Sequence, residues 1–215
     1  MEAFIENHVL NQILRQAKHV LDAEQRVNDI KVKQEFAYYS LNKAEKAFDS
    51  LMTDQLELLK PLVSIKNESD YTHFKDSLEP YCIPFRATTD AQLKKLFKKA
   101  KKLHPPHLSP ADFSHLTYLS WYDKGSMKKF IVREIDGTMR GLSGSFLPSP
   151  QKGICHFCHH MGAVGLFTVD VKTDTKNHNY KALSNYICQD EATCNAHITD
   201  TEKLDFLFEY VRGNK

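Results

Sequence analysis

The chain has 215 residues, 41% of them hydrophobic, and sets 29 Lys and Arg against 27 Asp and Glu for a formal net charge of +2. That length holds one large domain or two small ones and carries enough apolar residues for packed cores. A near-balanced charge excludes binding of polyanions by bulk charge, so electrostatics must come from local clusters, and no apolar run is long enough to cross a bilayer.

The first half reads as helical. Ile5, Val9, Ile13, Ala17, Val20 and Leu21 recur at helical spacing with charges between them, which predicts a first helix. Ala37, Leu41, Ala44, Phe48 and Leu51 step by four and three, the seam of a second helix packed antiparallel to the first, with Asn28–Asp29 at the break. Thr53–Asp54 can cap a third helix bearing Leu56, Leu59 and Leu62. Pro61 should kink or end it, since proline lacks an amide donor. Ser69–Asp70 opens a fourth, with Tyr71, Phe74 and Leu78 on one face and Pro80 closing it. These positions read as core and carry no chemistry.

Thr89 and Gln92 stand as a capping box, each satisfying an otherwise orphaned amide. The spacing predicts a fifth helix running to Leu103 and stopped by Pro105–Pro106, with Leu93, Leu96, Phe97, Ala100 and Leu103 as its apolar stripe. Lys94, Lys95, Lys98, Lys99, Lys101 and Lys102 cover its other side with no carboxylate among them. A solvated face is one reading. Like charges at i,i+4 repel by a few tenths of a kcal/mol, so the run also points to an anionic surface, either protein or RNA.

From about residue 107 the period changes. Ser109–Pro110–Ala111–Asp112 reads as a capped single turn, and Leu116 to Tyr122 as a strand. Lys129–Ile135 and Met139–Phe146 flank Asp136–Gly137, a two-residue hairpin signal because glycine accepts positive φ. Gly141 and Gly144 predict a bulge or a close backbone approach. Leu166–Val171 is a further strand, and Thr199 with Glu202 makes a second capping box for a terminal helix burying Leu204, Leu207, Phe208 and Val211. The fold class is therefore α+β: an N-terminal antiparallel helical bundle, residues 1–108, followed by a small mixed α/β domain with a four-cysteine zinc site, residues 109–215.

Cys155 and Cys158 form a C-x2-C pair, and Cys188 and Cys194 a C-x5-C pair read as a loose turn. Four thiolates from two such pairs can surround one Zn2+ at about 2.3 Å each, the closed set of a structural site. Cys155-x-x-Cys158-His159 also matches c-type haem attachment, but Met1 to His8 lacks the basic-then-apolar layout of an export signal. A thioredoxin-like pair needs a βαβ setting that is missing here. A nucleobase deaminase needs a preceding proline, an H-x-E motif and an open metal position, none of which four cysteines provide. His156, His159, His160 and His197 could each replace a thiolate but read better as polar surface. Cys82 is left as a buried or semi-buried free thiol. With no P-loop, G-x-G-x-x-G, G-x-S-x-G or H-E-x-x-H, nothing argues for an enzyme.

Taken together, several stretches resemble the elongation factor G-binding proteins of the FusB-type fusidic acid resistance family. They are Tyr81-Cys-Ile-Pro84-Phe85, Leu93 to Lys102, Trp121 ahead of the hairpin through Gly141 and Gly144, Lys152-Gly153-Ile154-Cys155-x-x-Cys158, Leu166–Phe167, Tyr186-Ile187-Cys188-x-Asp190, Cys194–Asn195 and Thr199–Asp200. The resemblance implies a helical domain and a zinc domain that binds the translational GTPase elongation factor G and promotes its release from the ribosome, including complexes stalled by fusidic acid, without chemistry. It implies a cytoplasmic protein and sets aside a surface adhesin, which would need an export signal. By position Tyr186 matches an aromatic that contacts the factor. Ile154 stands where the family can show an aromatic, Lys181 lies near a basic position now held by Leu183, and Phe206 and Phe208 flank the matching place in the terminal helix. A second partner, the ribosome or ribosomal RNA, would meet the lysine helix.

Overall fold

The structure is a computed structural model that describes every residue except 101–102, 107, 110–112, 175–178 and 214–215. The chain divides into two compact units, Met1–Ile83 and Pro84–Lys215.

The first unit is helical. α1 (Asn7–Arg26) buries Val9, Leu10, Ile13, Ala17, Val20 and Leu21 along one stripe, as the periodicity predicts. Asp29 caps α2 (Ile30–Glu45), its Oδ1 accepting from the amides of Lys31 at 2.8 Å and Val32 at 3.2 Å. α2 stops at Glu45, so Phe48 and Leu51 lie beyond it and reach the core from the following turn. α3 (Thr53–Leu59) starts one residue before the expected Thr53–Asp54 cap, with Gln55 Oε1 accepting from the Met52 amide at 2.8 Å. Pro61 converts the continuation into a 3-10 turn, Lys60–Ser64, which still delivers Leu62 to the core. α4 (Glu68–Leu78) is capped by Asn67 and not by Ser69–Asp70, since Asn67 Oδ1 accepts from the Asp70 amide at 3.0 Å. A second 3-10 turn, Glu79–Tyr81, brings Cys82 against Ile5 in a single parallel bridge. The Cys82 thiol is half-buried, and burial pushes it up to about 11.

The second unit opens with α5 (Asp90–Leu96), where the Thr89–Gln92 capping box forms as predicted. The helix ends at Leu96 and does not continue to Leu103. Phe97 leaves helical geometry at φ −113°, ψ 48° and inserts its ring edge-on to Trp121 and Phe130, with centroids 5.7 and 5.0 Å away. Aromatic burial on the sheet outweighs one more turn of lysines that repel one another. The same insertion explains why the division falls at Ile83/Pro84 instead of 108/109: the lysine segment packs onto the sheet.

That sheet is an antiparallel meander, β1 (Leu119–Asp123), β2 (Lys128–Ile135), β3 (Thr138–Ile154), β4 (Met161–Asp174) and β5 (Asn179–Cys188), paired in chain order. Asp136 and Gly137 both take positive φ, 51° and 68°, and close the expected β2–β3 hairpin. The register runs unbroken past Gly141 and Gly144, so these mark close approaches, not bulges. A Cβ on Gly144 would lie 2.3 Å from the Thr168 carbonyl oxygen. One sheet face carries Leu119, Trp121, Phe130 and Val132 against Phe85, Leu93, Phe97 and Phe113. The other carries Tyr118, Ile131, Leu142, Phe146 and Phe167 against the four cysteines and α7 (Glu202–Gly213). The Thr199–Glu202 box does not form, because Asp200 Oδ1 accepts from the Glu202 amide at 3.3 Å instead. Arg133 holds α7 to the sheet by a forked pair with Asp205, at 2.5 and 3.1 Å.

Candidate metal centre and the adjoining sheet face

The first cysteine pair sits on the turn between β3 and β4. The Cys155 amide donates to the His160 carbonyl at 3.0 Å and the His159 amide to the Cys155 carbonyl at 2.9 Å, with His159 at φ 57°. These bonds aim both sulfurs to one side. Cys188 ends β5, and Cys194 lies on α6 (Glu191–His197), a short helix capped by Asp190, which accepts from the Thr193 amide at 2.7 Å and its hydroxyl at 2.6 Å. The C-x5-C spacing is thus a strand end plus a helical turn, not a loose turn. Five intervening residues let the chain reverse and start a helix before the second sulfur returns.

All four sulfurs are buried and lie within 4.8 Å of one another. Cys155 and Cys194 are 3.8 Å apart and Cys158 and Cys188 3.6 Å. A tetrahedron with arms of about 2.3 Å has edges of about 3.8 Å, so the set fits one zinc ion. Disulfides need roughly 2.05 Å and are excluded. The crowding has an electrostatic signature: hydrogen bonding from Cys158 holds Cys155 well below the ordinary thiol range, while hydrogen bonding to Cys155 pushes Cys194 far up. Four thiolates cannot share this space without a cation. His156, His159, His160 and His197 stand outside the ligand set; His160 and His197 stack on each other at 3.8 Å, and His197 Nδ1 is 2.7 Å from the Thr193 carbonyl oxygen.

Around the cysteines lies a shell that the sequence does not advertise. Lys129 is 0% exposed, and its ammonium donates to the carbonyls of Cys188 at 3.1 Å and Gln189 at 2.8 Å. Desolvation lowers its pKa, and its charge opposes the surplus negative charge of four thiolates on one divalent ion. The Cys188 amide donates to Cys155 Sγ at 3.3 Å. Asn195 ties α6 to β1, accepting from the amides of Thr117 at 2.7 Å and Tyr118 at 3.2 Å and donating to the Tyr118 carbonyl at 3.0 Å. The only hint of Lys129 was its strand parity, which it shares with Ile131 and Arg133.

Of the expected partner-binding residues, the structure brings two together. Tyr186, 52% exposed, and Ile154, 59% exposed, line one cleft of about 360 Å3 beside the Cys155 turn, with Leu166 between them. The His156 amide donates to the Tyr186 carbonyl at 2.7 Å and couples that strand to the metal turn. Leu147 pairs across to Leu166 and Leu166 to Tyr186, and Ile154 pairs with Met161. Leu147 is exposed as well and extends the row of Leu166 and Tyr186, which sequence reading had missed. Phe206 is exposed on α7 but outside this cleft. Phe208 is 5% exposed and belongs to the core, which corrects its expected partner role: its place on the helix faces the cysteines. Lys181 is exposed on β5. Lys94, Lys95, Lys98 and Lys99 are exposed, while Lys101 and Lys102, like the expected turn at 110–112, lie outside the described residues.

Comparison with known proteins agrees with this geometry. The family model described as elongation factor G-binding protein, N-terminal, matches residues 4–86. The one described as FBP C-terminal treble-clef zinc-finger matches residues 92–208, and such a domain carries one structural zinc, for which the four cysteines are the fitting ligands. A solved structure of the fusidic acid resistance protein FusC is similar, with TM-score 0.77 and 25% identity over 98% of this chain and 97% of that one. A search of curated proteins finds no match.

Proposed function

The chain belongs to the elongation factor G-binding protein family, and from that premise we propose that it is a non-catalytic docking protein for elongation factor G. The contact surface is the apolar sheet face beside the metal turn, with Tyr186 as anchor, Ile154 and Leu166 as walls, and Leu147 at the margin. The observation that carries this reading is the exposure of Tyr186 on a strand that ends in Cys188. A large aromatic held in solvent by a rigid frame forgoes burial in its own core and suits a partner's pocket. Such anchors typically cost 2 kcal/mol or more when truncated. Lys181 adds charge on the same strand.

Zinc, when bound, supplies a cross-link between the β3–β4 turn and the β5–α6 junction. The chain's own residues do the recognition. Docking favours a conformation of the factor that the ribosome does not hold, and so releases it, including from complexes stalled by fusidic acid. This places the protein in the cytoplasm and makes it a resistance factor where the drug is present.

Calorimetric titration of the purified chain into elongation factor G tests the reading. Tyr186→Ala should weaken binding by 30-fold or more, about 2 kcal/mol, and slow factor release from ribosomes sedimented with fusidic acid. Unchanged affinity removes Tyr186 from the interface. Binding with no release confines the protein to sequestering the free factor.

A further inference from the structure

A second cleft, of about 890 Å3, lies in the same unit beside the break that ends α5. None of its residues lines the Ile154–Tyr186 cleft. Because the helix stops at Phe97, Lys95, Lys98 and Lys99 reach one rim together, and Lys128, from the start of β2, joins them across the cleft. All four are exposed, and none of them forms an ion pair among the described residues. Two carboxylates share the rim, Asp123 and Asp170. Asp123 is already engaged, accepting from the Ser126 hydroxyl at 2.6 Å and the Gly125 amide at 3.0 Å. Four lysines against two aspartates leave a rim charge of +2. The lining also includes apolar side chains, with Leu96 and Val211 partly exposed and Leu142 and Val169 buried.

We propose that this cleft binds single-stranded RNA, with phosphates on Lys95, Lys98, Lys99 and Lys128 and a base seated on the apolar lining. Several unpaired lysines around one concavity form a field that attracts a polyanion. Lysine ammonium groups serve phosphate oxygens as point charges. An acidic protein loop would need the charge but not the apolar lining. A nucleotide uses both, its phosphates against the lysines and its base against Leu96 and Val211. The inference goes beyond docking on elongation factor G and does not depend on it.

The test is fluorescence anisotropy of the full-length zinc-loaded chain with a labelled single-stranded RNA of about 12 nucleotides, across a salt series. The expected result is binding whose logarithm falls linearly with log salt. In the variant Lys95→Gln/Lys98→Gln/Lys99→Gln/Lys128→Gln, affinity should drop at least about 30-fold and the slope should shrink by about 2 to 3, since each lost phosphate contact on a single strand removes about 0.7. Lys128→Gln alone should weaken RNA about as much as Lys98→Gln alone. All four side chains are exposed, so the variants should keep the parent's melting temperature and its affinity for elongation factor G. Four outcomes would each overturn the proposal: no binding of RNA at low salt, an unchanged salt slope in the quadruple variant, an unaffected Lys128→Gln, or displacement of the RNA by poly-aspartate at equal charge concentration. A quadruple variant that loses elongation factor G while keeping RNA would assign the rim to the protein partner instead.

Discussion

In the helical unit one cluster of aliphatic side chains, Ile13, Leu21, Leu59, Leu62 and Leu78 among them, is fully withdrawn from solvent, and helix caps at Asp29 and Asn67 fix its ends. In the zinc unit a single sheet buries both faces. One is lined with aromatic rings at Phe97, Trp121 and Phe130; the other is closed over four cysteines. The first unit distributes its stability over many interchangeable apolar contacts. The second concentrates it in a cross-link between residues 155 and 194, surrounded by polar groups with fixed partners: Lys129 on two carbonyls, Asn195 on the backbone leading into β1, and Arg133 on Asp205 and the Thr117 carbonyl. Packing tolerates substitution gradually, whereas a metal centre and its hydrogen-bonded surround fail together.

Metal removal should separate the units most sharply. The only tryptophan, Trp121, lies in the zinc unit, so its fluorescence follows that unit while helical ellipticity is dominated by the other. Chelation, or Cys194→Ser, should cost the zinc unit on the order of 10 kcal/mol, in line with the free energies of structural zinc sites, and leave the helical transition in place. Coincident loss of both signals would break the comparison.

The converse is Leu59→Ala, which empties a fully buried site in the helical cluster. It should cost about 3 kcal/mol in chemical denaturation and move the ellipticity transition alone; a matching shift in tryptophan emission would join the two units energetically. Asp205→Ala should destabilise the zinc unit by about 2–3 kcal/mol, because it strands the nearly buried Arg133 guanidinium without its counter-charge. An unchanged tryptophan transition would show that α7 needs no such clamp. The smallest effect should be Asp29→Ala, which removes the cap of α2 and costs about 1 kcal/mol by ellipticity. A loss several times larger would make the helical unit as dependent on single contacts as its neighbour.

Much of this was legible in the residues. The stripe of α1, the Thr89–Gln92 box and the Asp136–Gly137 turn rest on local periodicity or turn chemistry, and each appears where it was expected. The cysteine quartet was legible because two closely spaced pairs are the pattern of a four-thiolate zinc site. What failed did so where a distant contact overruled a local preference. The lysine helix stops because Phe97 finds Trp121 and Phe130. Phe208 turns to the cysteines, as the period of Leu204, Leu207 and Phe208 requires, and so lacks the partner role that the resemblance implied. The lengths of β4 and β5 were missed because their polar tips carry no alternation.

Sequence alone therefore determined the helical first unit, the metal and its four ligands, since hydrophobic period and thiol chemistry act over a few neighbouring positions. Only the tertiary structure decided that Lys129 lies beneath the β5–α6 junction, that Leu147, Leu166 and Tyr186 line up across three strands with Ile154 in the cleft beside them, and that Lys128 joins Lys95, Lys98 and Lys99 around one cleft. Those groupings depend on strand register and on where a helix breaks, both of which are set by packing between segments far apart in the chain.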